Sequence, residues 1–325
     1  MKRLLIAFSL AVATAHSQPL LESFGSGGNQ FQIEFVTIGN PGNTADTSQI
    51  SSGFPPTLTS VSIGSVGYTF NLAKFEISRD MVEKANQAGS LGITLHDMTN
   101  LGGNGVHRPA SGISWFEAAR FVNWLNTSTG NAAAYKFDGS GNFQLWSSSD
   151  AGYNADNQFR NSLAKYVLPT RDEWYKGAFG SPGGTWYDYA TGSDSLPTAV
   201  TSGTASGTAV YGQTGTGSSP ADINSAGGLS PFDTMGQNGN VRELTESAYD
   251  GVNNDTMESR TALGGSYGES QHGLPATRLD WVSTASFESP SIGFRVAIVV
   301  PEPSSASLLL GGLAGLAAMR RRRAV

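Results

Sequence analysis

Residues 31–40, FQIEFVTIGN, alternate apolar and polar side chains with the period of two that predicts a half-buried strand. The stretch SVGYTFNLAKFEIS at 65–78 predicts a hairpin or a strand pair, and Ser78 at its end can cap a short helix carrying Met81, Val82 and Ala85. At Ser114 the pattern turns helical. Ser114-Trp115-Phe116-Glu117 is a capping box: the serine oxygen can accept from the Glu117 N–H, while the Glu117 carboxylate reaches back to the N–H of Ser114. Trp115, Ala118, Ala119, Val122 and Leu125 then recur on one helical face. A second box, Thr170-Arg171-Asp172-Glu173, follows Pro169 and opens a helix bearing Trp174 and Ala178. From Gly180 onward the chain is rich in glycine, serine and threonine, broken by brief apolar runs such as TAVYG and GFRVAIVV. Residues 18–30 read as a polar linker and 41–57 as a loop. Few helices, many short strands and long loops predict one irregular α+β domain over residues 31–300.

Composition agrees with that picture. The chain has 325 residues, 41 of them glycine, with only 14% charged side chains and no cysteine. Without thiols there are no disulfides, thiolate nucleophiles or thiolate metal ligands. Met1-Lys2-Arg3 followed by LLIAFSLAVATA has the charged start, apolar run and small-residue end of a secretory signal, which we assign to residues 1–17. At the other end, residues 301–325 join a short apolar run, Leu308 to Met319, to the arginines 320–323. The positive-inside tendency keeps those arginines cytoplasmic, and the run falls short of the roughly 20 residues of a stable spanning helix, so transient membrane anchoring is expected. Net charge is −6, and the two ends carry six of the 20 basic residues, leaving the exported part more acidic still. Such a surface argues against nucleic acid as a partner.

Gly264-Gly265-Ser266-Tyr267-Gly268 matches the G-x-S-x-G elbow, but the following ESQHGLPATR places Gly273 and Pro275 where the obligatory helix would form. His96, His107 and His272 form no zinc-ligand pair, and no phosphate-binding glycine loop occurs. Calcium fits better, because it takes carboxylate, amide and carbonyl oxygens from loops. GQNGNVRELTE, residues 236–246, packs Asn238, Asn240, Glu243 and Glu246 around Gly239; by spacing alone it is either a calcium loop or a turn closed by Asx hydrogen bonds.

The tail resembles the PEP-CTERM sorting signal of Gram-negative bacteria, with Pro301-Glu302-Pro303 before the apolar run and the arginine cluster. That resemblance implies an exosortase-type enzyme as partner, export across the inner membrane, and a final place at the cell surface or in an extracellular matrix. Between the ends, FVTIGNPGNTAD, VGYTFNLAKFEIS, PASGISWFEAARFVNWLN, YVLPTRDEWYKGAF, WYDYATGSD, SPFDTMGQNGNVREL, LGGSY and IGFRVA follow one another in an order that resembles the sulfatase-modifying-factor family of formylglycine-generating enzymes. The resemblance implies a glycine-rich, C-type-lectin-like α+β fold with a calcium loop. Its ligands would be the backbone carbonyls of Asn238, Gly239 and Val241 and the side chain of Glu243. It also implies that two copper-binding cysteines of catalytic relatives map to Glu269 and Leu274. Arg242 stands where relatives usually have tryptophan.

Copper is therefore not expected here, since cuprous ion favours soft sulfur donors and neither a carboxylate nor an isobutyl group replaces them. The expectation is an exported, surface-sorted protein with a catalytically degenerate domain acting as a binding or matrix module for a glycan or peptide. Its candidate ligand-binding surface is Ser266, Glu269, Gln271, His272 and Arg278. The alternative is an extracellular enzyme of the same family using non-cysteine chemistry, with Glu269 or His272 as acid or base.

Overall fold

A computed structural model describes residues 19–47, 49–52, 57–278 and 282–299, so the signal at 1–17 and the tail at 301–325 lie outside the described residues. The principal strands, in chain order, are β1 (Leu20–Phe24), β2 (Phe31–Ile38), β3 (Phe70–Ala73), β4 (Tyr166–Val167), β5 (Arg242–Ala248), β6 (Arg260–Leu263), β7 (Val282–Ser283), β8 (Ile292–Phe294) and β9 (Ala297–Val299). They form two sheets. The first has the order β1-β2-β3-β9-β4 and is antiparallel throughout. The second has the order β7-β6-β5-β8, with β5 and β8 parallel. Only Arg295 and Val296 separate β8 from β9, so the chain changes sheets within two residues. That short crossover places one side chain, Arg295, at the seam of the molecule.

The expected strand at 31–38 is present, and its alternation buries Phe31, Ile33 and Phe35 while Gln32 stays exposed. The segment 18–30, read as a linker, is corrected by the structure. It contains β1, which pairs with β2 from Leu20–Phe35 to Phe24–Phe31. Phe24 is 1% exposed, stacks on Phe31 at 5.6 Å and meets the Tyr166 ring edge-on at 5.1 Å. The loop expected at 41–57 holds a small hairpin, Gln49–Ser52 against Thr57–Ser60. SVGYTFNLAKFEIS supplies the single strand β3, which pairs with β2 and β9 instead of folding back on itself.

Three helices follow their caps. In α1 (Arg79–Gly89) the Ser78 hydroxyl accepts from the Met81 N–H at 3.3 Å. In α2 (Trp115–Ser128) both halves of the Ser114–Glu117 box are made, as are those of Thr170–Glu173 in α3 (Arg171–Phe179). Helix α2 drives Trp115 into a cluster with Phe143 at 5.0 Å and Tyr135 at 5.1 Å. Over those rings lies the guanidinium of Arg260, 4.1 Å from the centre of Phe159 and 4.6 Å from that of Trp115. Burial pushes Arg260 down to about 10.

A buried polar brace fixes α3 against the second sheet. Arg160 reaches Glu246 on β5 at 2.8 Å and Glu173 on α3 at 3.0 Å, while Tyr68 and Tyr135 donate to the same two carboxylates. Each carboxylate oxygen thus has a partner, which is the condition for a buried charge to persist.

Candidate functional site

The two segments singled out in the sequence, 236–243 and 263–278, interleave as one loop cluster at the start of β5. Gly239 has φ 86°, and a β-carbon there would stand 2.1 Å from the Val210 carbonyl, so only glycine permits the approach. Its N–H donates to Gly264 O at 2.6 Å. Asn240, left-handed at φ 53°, takes four partners. Its amide nitrogen donates to Glu76 Oε2 at 2.6 Å, its side-chain oxygen accepts from Ala221 N at 2.7 Å, its backbone N–H reaches Val210 O, and its carbonyl accepts from Tyr267 N. Asn238 accepts from Ala190 N at 2.6 Å and donates to Leu274 O at 2.9 Å. These amides clamp separate loops together through partners remote in the chain, not through the local Asx bonds of a turn.

Glu243 lies at the centre of the expected metal set. Its carboxylate is fully buried and accepts Trp174 Nε1 at 2.6 Å and two nitrogens of Arg295, with Nη2 at 2.5 Å from Oε1. Arg295 also donates to the carbonyls of Ala73 and Met235, each at 2.8 Å. The positive charge opposite Glu243 is therefore a guanidinium. Of the expected calcium set, the carbonyls of Asn238, Gly239 and Val241 with the side chain of Glu243, the one charged ligand is already committed to Arg295 and Trp174, which does not fit a calcium ion at that carboxylate. Among the described residues no cluster of three or more histidine, aspartate or glutamate side chains could hold a metal.

Beside this pair lies Glu76, which accepts from Asn240 and from Val241 N. Burial first, then the Glu243 charge, hold its carboxyl well above the usual carboxylate range, against the opposing pull of Arg295. The sequence patterns above give no role to Glu76 or Arg295. The one available signal is a charged residue flanked on both sides by apolar ones, Glu76 between Phe75 and Ile77 and Arg295 between Phe294 and Val296.

Ser266 is 3% exposed, and the chain after it forms only a short 3-10 turn, Gln271–Gly273, so no elbow presents a nucleophile. Gln271 and His272 are exposed on that turn, and Arg278 is half-buried beyond it. Glu269 is held by Arg242, whose Nε and Nη2 approach Oε1 at 2.8 and 2.5 Å. Two positions that the sequence marks separately as departures, Arg242 and Glu269, are thus one ion pair. Leu274 is fully buried against Ala209 and Tyr211. The donors at 269 and 274 are a carboxylate engaged by arginine and an alkyl group, a set that does not fit copper.

Solved structures share this fold. The variable protein 1 of Treponema denticola superposes with a TM-score of 0.59 at 17% identity, covering 86% of this chain and 99% of its own. CarF does so at 0.56 and 21% identity, covering 82% and 98%. The architecture is accordingly the α+β fold of formylglycine-generating-enzyme-like proteins. The chain belongs to the sulfatase-modifying factor enzyme 1-like family, whose profile matches residues 66–300. A PEP-CTERM protein-sorting motif matches residues 299–323, which marks export, processing by an exosortase-type enzyme and surface sorting in Gram-negative bacteria. Comparison with curated proteins finds no match.

Proposed function

We propose that this surface-sorted protein uses its domain as a binding or matrix module for a glycan or peptide, without the cysteine-based oxidation associated with the family resemblance. The observation that carries the reading is the Arg242–Glu269 ion pair with the buried Leu274 beside it, in a chain that has no cysteine. A soft metal needs sulfur donors, and here a salt bridge and an apolar side chain take their place. Around it Asn238 and Asn240 tie the loop cluster to four other segments, at Glu76, Ala190, Val210 and Ala221, and the exposed Gln271 and His272, with the half-buried Glu269, crown that support. Recognition from loops on a fixed scaffold is the function such an arrangement serves well. We further propose the division of the precursor into a signal at 1–17, a domain that begins at β1, and a tail removed after export.

The test is a screen of the exported protein against glycan and peptide collections, repeated with Glu269→Gln and His272→Ala. Retained ligands whose binding weakens in those variants support the reading. A turnover of any bound compound that is lost in both variants would favour the enzyme instead.

A further inference from the structure

Away from the loop cluster, the C-terminal end of α1 and the flank of α2 border a shallow, open groove of about 340 Å³ lined by Gly89, Ser90, Leu91, Arg120, Asn123, Trp124 and Thr127. That volume lies at the small end of the range for ligand pockets, about 300–1,000 Å³. Glycine is required at its rim, because a β-carbon on Gly89 would come within 2.5 Å of Trp124 Cδ1 and 2.8 Å of Trp124 Nε1. The Trp124 ring is fixed from behind by Phe31, stacked at 5.8 Å.

The groove's polar groups are unevenly used. Among the described tryptophans, the indole N–H groups of Trp115, Trp146, Trp174 and Trp186 all donate to protein acceptors, to Thr245 O, Ala134 O, Glu243 Oε2 and Thr44 O. Trp124 makes no such bond, and its N–H, beside Gly89, opens on the groove. Arg120 spends Nε on the Leu91 carbonyl at 3.1 Å and keeps only a 3.9 Å contact from Nη2 to Glu117. Nη1 has no hydrogen bond among the described residues. The amide of Asn123, by contrast, is engaged at both ends by Tyr135. What faces the groove is therefore an indole N–H and a guanidinium edge beside an aromatic side chain, a set that supplies donors and one positive charge.

We propose that this groove binds an acidic saccharide, a uronic acid unit whose carboxylate pairs with Arg120 and whose ring oxygen or hydroxyl accepts from Trp124 Nε1. A planar guanidinium matches a carboxylate in two-point geometry, and an indole that is apolar on its body and donor at its tip suits a sugar ring. The inference rests on the reading of the domain as a binding module and gives that reading a substrate class and a second surface, sharing no residue with the loop at 263–278.

The test is calorimetric titration of the exported protein with a short oligogalacturonide and with the same oligomer methyl-esterified, which removes the charge and caps one carboxylate oxygen with a methyl group. The free acid binds and the ester binds at least about tenfold more weakly, the change expected for loss of a charged hydrogen bond. Arg120→Met, a substitution of a side chain 32% exposed, weakens the free acid by a similar factor without unfolding the protein. Trp124→Phe keeps the ring on Phe31 and weakens binding by about fivefold through loss of the N–H. Absence of binding by the free acid, equal binding of acid and ester, or full binding by Arg120→Met overturns the proposal. If a neutral glycan or a peptide binds at the 263–278 loop while the uronide does not, this inference fails and the module reading stands; if no glycan or peptide binds, both fail.

Discussion

Glu243 and Arg295 lie 52 residues apart in sequence and meet inside the protein with every polar atom engaged. Glu243→Gln leaves a buried guanidinium without its counter-charge, and an urea titration should show a loss of about 3–5 kcal/mol. The pair formed by Arg242 and Glu269 is more exposed, so a double-mutant cycle with Arg242→Met and Glu269→Gln should give a coupling of about 1–2 kcal/mol. A coupling near zero would mean that the contact fixes nothing. Glu76 introduces a pH dependence. Its raised pKa means that the folded protein holds the proton more tightly than the unfolded chain does. That contribution is complete below the ordinary carboxylate value and is lost as pH rises through the raised one. The stability of the native protein relative to Glu76→Gln should therefore fall as pH increases, and urea titrations across pH that give a constant difference would contradict the assignment. At this scale the sequence was ambiguous for a physical reason. Asparagine and glutamate oxygens serve a cation or a neighbouring N–H equally well, and the partners of the Asn238 side chain and of Glu243, namely Ala190, Leu274 and Arg295, are remote in the chain and invisible to local spacing.

Elements whose cause is local were legible. Helices α2 and α3 start at complete capping boxes, both visible as four-residue patterns, and Ser114→Ala or Thr170→Ala should each cost about 1 kcal/mol in a thermal melt. Strand β2 was legible from its alternation. Strand β1 was not, because five residues between glycine- and serine-rich segments carry no periodicity to set against a linker, and its identity comes from pairing with β2 and from Phe24 meeting Phe31 and Tyr166. The change of sheets between β8 and β9 was hidden too, since GFRVAIVV reads as one continuous strand until the two partners are known. That break puts Arg295 at the seam, where it bonds Glu243, Ala73 and Met235.

For the whole molecule, the family fold and the sorting motif define a domain delivered to the cell surface. The order of eight motifs made the fold legible, whereas the state of the site depended on a contact, Arg242 with Glu269, that sequence marks only as two separate departures. Because a ligand bound only by the folded state raises its stability, melting of the exported protein in excess calcium and in chelator should coincide, and a rise of several degrees with calcium would restore the metal that Arg295 displaces in this account. The central claim concerns sulfur, and mass spectrometry tests it directly. The exported protein is incubated in air with copper and a cysteine-containing peptide, and the peptide is weighed. An unchanged thiol is the expected result; conversion of that thiol to the formylglycine aldehyde would contradict the account.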